Sequence, residues 1–141
     1  MSNLELKLWK DREKRQLDPR LFSNVAEEFA KTLSQDGRKS KRNKQTQIRK
    51  YFDEVVRLNE MAQTLSNSKE DKDIWENRIL PQIHMLIAKV VYAKGRNLVT
   101  DSFIKIIKDG INQIQDKEDL QIFTNFLEAF IGFYTFIHKA E

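Results

Sequence analysis

Only two prolines and four glycines interrupt 141 residues, and that scarcity narrows the choice of fold more than any other feature. Strand reversals draw on glycine, proline and asparagine-glycine turns, so a chain this poor in them has little with which to build hairpins. Leu, Ile, Lys, Glu, Gln and Phe are plentiful instead, a mixture that favours long helices. The expected fold is all-α, a compact bundle of about five helices. One domain suffices at this length, and about two thirds of the unfolded surface can be buried in it.

Apolar residues at helical spacing place the elements. The first helix is expected from Pro19 to Ser34 with Leu21, Phe22, Val25, Ala26, Phe29 and Leu33 inward, and Asp36-Gly37 reads as its stop. A second, from about Thr46 to Leu65, puts Ile48, Tyr51, Val55, Leu58 and Ala62 on one stripe, with Thr46 as N-cap and Asp53 spaced to pair with Arg57. A third, Lys69 to Arg96, contains Pro81 and is expected to kink there. Its second half is apolar on most sides, which predicts the most buried element. The fourth, Asp101 to Gln115, is capped by Thr100 or Asp101. The fifth, Lys117 to Lys139, is capped by Asp116 and carries a wide aromatic stripe from Leu120 to Ile137. Residues 1–18 mix Leu4, Leu6, Leu8 and Trp9 with Lys7, Lys10, Arg12, Lys14 and Arg15 and fit no helix face. They are expected to form a flexible basic arm before a single bundle domain at 19–141.

The net charge of +4 is modest but unevenly spread. Gly37 to Lys50, GRKSKRNKQTQIRK, carries Arg38, Lys39, Lys41, Arg42, Lys44, Arg49 and Lys50 without one acid, and it leads into a helix start where cations are disfavoured by roughly 0.3–1 kcal/mol each. Bases in that position suit an anionic partner. The amides of Gln47 and Ile48, next to a Thr46 cap, would complete a phosphate-shaped site. A second cluster, Lys89, Tyr92, Lys94 and Arg96, closes the third helix. Its cations extend the track, and Tyr92 is available to stack on an unpaired base.

Catalytic signatures do not appear. His84 and His138 lack partners at metal-ligand spacing, no phosphate-binding glycine loop or nucleophile elbow occurs, and there is no cysteine. The carboxylates sit where capping and solvation explain them. No enzyme activity, metal, cofactor or small-molecule substrate is expected. Neither a signal-peptide core nor an unbroken apolar run of membrane length is present, so a soluble cytoplasmic protein without membrane contact is expected.

Three stretches, KRNKQTQIRKYFDEV, LPQIHMLIAKVVYAKGR and FTNFLEAFIGFY, resemble the small helical subunit of type III-A CRISPR-Cas effector complexes, the Csm complexes, over about residues 40–137. The resemblance implies a non-catalytic helical bundle. Copies of it would stack as an inner filament beside the guide-RNA subunits and contact single-stranded target RNA as it pairs with the guide RNA, in antiviral defence. It carries Lys41, Arg42, Lys44, Gln47, Arg49 and Lys50 over as target-strand contacts, and Lys89, Lys94 and Arg96 less directly. A subunit of this kind must accept any sequence, so phosphate contacts are needed and base-edge readout is not. A scaffold that binds only protein, its basic loop docked on an acidic neighbour, is the alternative. A DNA-binding regulator is disfavoured, because the basic loop precedes its helix instead of displaying one.

Overall fold

The computed structural model describes residues 4–140. Its helices are α1 (Ala26–Ser40), α2 (Gln45–Gln63), α3 (Lys69–Ile74), α4 (Leu80–Gly95), α5 (Asp101–Asn112) and α6 (Lys117–Ala140). A π-helical turn, Leu21–Val25, leads into α1, and another, Trp75–Ile79, joins α3 to α4 without a break. The described residues thus form five continuous rods, the all-α bundle that the periodicity predicts.

α6 is the central rod, lying against α1 and α2, while α4 packs on α5. Its buried aromatics form a column. Phe126 stacks on Phe130 at 6.4 Å and Phe130 on Tyr134 at 5.7 Å, with Phe29 of α1 edge-on to Phe126 at 5.6 Å. Such offset and edge contacts add about 0.5–1.5 kcal/mol each to the area they bury. Lys117–His138 is long and apolar enough by composition to cross a membrane, and half of its most apolar window is buried inside the bundle. The expectation that the second half of the third rod is the most buried element is therefore corrected. α4 buries Ile83, Leu86, Val90 and Ala93 on one side and leaves Met85, Val91 and Tyr92 exposed on the other.

The local signals at the rod ends were partly displaced. Asp116 does cap α6, its Oδ1 accepting the Asp119 N–H at 2.9 Å. α1 runs past Gly37 to Ser40, and Lys41 closes it at φ 60°. Gly37 serves a different purpose, because the chain folds back over it. Arg42 N–H donates to the Gly37 carbonyl at 3.0 Å, and a Cβ on Gly37 would lie 2.6 Å from the Arg42 carbonyl oxygen. Pro81 produces no simple kink. The π turn ahead of it carries the Leu80 N–H to the Trp75 carbonyl and sets Pro81 in the first turn of α4, where its missing donor is not needed.

Residues 4–18 are folded onto the bundle, which corrects the expectation of a flexible arm; residues 1–3 of that arm lie outside the described residues. Leu6, Leu8 and Trp9 are buried. The alternation of Leu4, Leu6 and Leu8 is that of an extended segment laid on a helical surface. Gln113 holds it by both ends of its amide, accepting from Leu8 N–H at 2.8 Å and donating to the Leu6 carbonyl at 2.6 Å. Asp119, fully buried, accepts from the Trp9 indole at 2.7 Å and from Arg12 at 3.0 and 2.8 Å. Arg15 pairs with Glu118 at 2.6 Å. Two of the arm's bases are thereby already matched by acids.

Burial pushes the Asp119 carboxyl up, but the hydrogen bonds from Trp9, Arg12 and the Gln115 N–H together outweigh it and hold the group below the ordinary aspartate range. A depressed folded value means that this stabilisation is complete above the unfolded value of about 3.9 and is lost as pH falls through the folded one. Asp119→Asn should therefore cost about 2–4 kcal/mol at pH 7, where Arg12 loses its counter-charge. The gap to the unsubstituted protein should narrow below about pH 4. Urea unfolding across that range measures both.

Candidate nucleic-acid interface

The turn between α1 and α2 and the turn between α4 and α5 meet at one end of the bundle, and Asn43 joins them. It is 0% exposed and sits at φ 58°, a left-handed conformation that Asn tolerates better than most residues. Its N–H donates to the Leu98 carbonyl at 3.0 Å. Its amide donates to the Leu33 carbonyl at 3.2 Å and the Thr100 hydroxyl at 2.8 Å, and its Oδ1 accepts the Thr100 N–H at 2.9 Å. The Tyr134 hydroxyl donates to its carbonyl. Asn43, set between α1 and α2, thus bonds to α1, to α6, to the α4–α5 turn and to the start of α5 in one hydrogen-bonded knot. No sequence signal marked Asn43, which lies hidden in a run of bases.

Because of that knot the C-termini of α1 and α4 and the N-terminus of α2 share a corner, and the predicted bases gather there. Arg38 and Lys39 occupy the last turn of α1, where cations are favourable to the dipole. Lys41 and Lys44 are exposed in the turn. Arg42 donates to the Asn97 side chain at 2.9 Å and so bridges the two loops. Arg49 and Lys50 project from the start of α2, and Lys50 shares a shallow cleft with Tyr51, Ala88, Lys89 and Tyr92.

Several details differ from the sequence reading. Lys44, not Thr46, is the N-cap of α2, and no side chain caps it. The amides of Gln47 and Ile48 are occupied, donating to the Lys44 carbonyl at 2.9 and 3.1 Å. They cannot also cradle a phosphate, so the cationic side chains, not the helix amides, would have to hold an anion. Gln47 is half-buried, and its Oε1 is enclosed without a hydrogen-bond partner, pointing away from the surface it was expected to serve. Arg57 pairs with Glu54 at 2.5 Å instead of with Asp53, and this pairing holds the Glu54 carboxyl below its usual range. Lys94 is matched by Asp101 at 3.2 Å, which removes it from the free cations. Arg96 lies 5.9 Å from the Tyr92 ring centroid and covers one of its faces.

Among the described residues, no carboxylate pairs with Lys39, Lys41, Lys44, Arg49 or Lys50. The first turn of α2 holds no acid. What the corner offers is a fixed patch of uncompensated positive charge, able to neutralise several phosphates of a strand laid across it. His84 is exposed on α4, and no three His, Asp or Glu side chains among the described residues converge to hold a metal.

Residues 16–140 match the family model described as Csm2 Type III-A. No curated protein and no solved structure matches the chain.

Two substitutions separate the corner's architecture from its charge. Asn43→Ala orphans the Thr100 N–H and forces alanine into a left-handed turn. It should cost about 3–5 kcal/mol in chemical denaturation. Lys44→Asp supplies the missing N-cap acceptor and the charge that the helix start favours, so it should stabilise by about 0.5–1 kcal/mol while removing one cation from the corner. A rise in melting temperature together with weaker polyanion binding is the expected pair of results.

Proposed function

This chain belongs to the Csm2 Type III-A family, a small subunit of type III-A CRISPR complexes, and we propose that within such a complex it holds single-stranded target RNA on the cationic corner without catalytic chemistry of its own. The observation that carries the reading is the set of exposed bases from Lys39 to Lys50 with no acidic partner among the described residues. Charges left uncompensated on a rigid, internally hydrogen-bonded corner are matched by a polyanion at little ordering cost. Lys41, Arg42, Lys44, Arg49 and Lys50 contact phosphates, and Arg38 and Lys39 extend the patch along α1.

Such contacts read no bases, which suits a subunit that must accept whatever sequence the guide RNA selects. One copy binds weakly. Copies arranged as an inner filament beside the guide RNA gain affinity because each engages the same strand as an effectively intramolecular event. Cleavage belongs to other subunits, and the setting is cytoplasmic antiviral defence.

The test is a filter-binding titration of the isolated chain with single-stranded RNA of several unrelated sequences. Binding should be sequence-tolerant and fall with salt at a log-log slope of about −3 if some four phosphates are neutralised. Changing Arg42, Lys44, Arg49 and Lys50 together to Glu should abolish it with the helical circular dichroism unchanged. Retained affinity in that variant would overturn the assignment of this face, and no RNA signal at low salt from either the free chain or the assembled complex would leave the protein-only scaffold as the better account.

A further inference from the structure

The side of α4 that faces away from the bundle is largely apolar, with His84 the one polar residue set within it. Pro81, Met85, Ala88, Val91, Tyr92 and Gly95 recur three or four residues apart, so they share one face of the helix. Met85 is 55% exposed, Val91 49% and Tyr92 68%. Their positions lie opposite Ile83, Leu86, Val90 and Ala93, which already fill the core side. Among the described residues, Arg96 lies over one face of Tyr92, and about half or more of each of the three side chains stays open to solvent. Gly95 adds a separate sign, since a Cβ there would meet nothing within 4 Å. No contact inside the chain requires glycine at that point of the helix, and its lack of a side chain leaves room for something to approach the backbone closely.

The two borders of this face are electrically unlike. Towards α5, Lys94 is matched by Asp101. Towards α2, Lys50 and Lys89 flank the cleft beside Tyr92, Arg96 lies over the Tyr92 ring, and Glu54 is already engaged by Arg57. That border carries net positive charge. We propose that the outer face of α4 docks a neighbouring protein subunit through an apolar ridge edged on one side by acidic residues, which meet Lys89 and Arg96.

Two other occupants fit less well. A second copy packed antiparallel about a two-fold axis would bring like borders together, setting Lys89 and Arg96 beside their own equivalents. A nucleic acid could use Lys89, but it offers nothing to cover the aliphatic Met85 and Val91, and one face of Tyr92 is already taken by Arg96. Apolar side chains with a charged margin are the composition of a protein interface. This inference rests on membership of a multi-subunit complex and not on the RNA reading, and the two can fail separately.

The experiment uses the complex assembled by co-expression of its subunits with this chain carrying an affinity tag. Met85→Glu combined with Val91→Glu, at sites already in solvent, should cut incorporation at least ten-fold, while the isolated variant keeps its helical circular dichroism and its RNA affinity. Lys89→Glu should weaken incorporation by placing like charges against the acidic edge. Gly95→Phe, whose Cβ has open space, should block it as well. A photo-crosslinking benzoylphenylalanine at position 91 should join this chain to another subunit next to Asp or Glu residues. Wild-type stoichiometry in the folded double variant, or a crosslink to RNA, to a second copy or to a surface without acids, overturns the proposal.

Discussion

The architecture depends on one buried amide. Asn43 occupies a left-handed turn, and its side chain ties the middle of α1 to the start of α5 while its backbone ties both to the α4–α5 loop and to α6. A buried amide left unmatched costs a few kcal/mol, whereas one matched on every side admits few alternative arrangements. The knot therefore fixes the relative positions of three helix ends more tightly than apolar packing alone would, because packing tolerates small slides and a closed set of hydrogen bonds does not. The bases around it inherit that rigidity at the backbone while their side chains remain free to adapt.

Electrostatics at the same corner runs in two directions. The C-terminus of α1 welcomes Arg38 and Lys39, since the last carbonyls carry partial negative charge. The N-terminus of α2 does not welcome Lys44, its N-cap, and no acid in the first turn relieves it, while Arg49 and Lys50 follow in the second turn. Helix chemistry thus accounts for Arg38 and Lys39 and runs against Lys44. A base that works against local stability calls for a reason outside the fold, which supports the proposed RNA contact. The opposite end of the bundle has a different logic. There Asp119 gathers Trp9, Arg12 and the Gln115 amide, so the basic residues nearest to it are consumed in holding the extended N-terminal segment.

What could be read from the chain beforehand was local. Five rods followed from the spacing of residues such as Val55, Leu58 and Ala62, and the Asp116 cap followed from its place ahead of α6. The gaps arose where a partner lies far along the chain. Asn43 meets Thr100, and Asp119 meets Trp9; nothing near these residues in sequence distinguishes them from a surface asparagine or a helix-start aspartate. The same blindness made Leu6, Leu8 and Trp9 look like a loose arm, since an extended segment laid on helices has no periodicity of its own beyond alternation. At the candidate site the bases were legible as residue types. Their convergence was not, because it needs the α4–α5 turn folded against the α1–α2 turn. Apolarity misled in one place only: α4 is apolar on two sides, and sequence alone does not tell a helix buried all round from one with a face left open.

The π turn at Trp75–Ile79 gives that open face its aim. A turn that closes its hydrogen bond one residue later than an α-helix inserts one extra residue, and each residue in a helix turns the following side chains by about 100°. Trp75, held by its indole on the Gln115 carbonyl at 3.1 Å, anchors the rod on one side of this insertion. Everything after it, from Met85 to Tyr92, is rotated by the widened turn as a unit. Loss of one residue here would turn the core side, Ile83 to Ala93, and the bare stripe together by more than a quarter-circle relative to Trp75. The five residues of this turn act as a rotary setting for which side of the bundle is left bare.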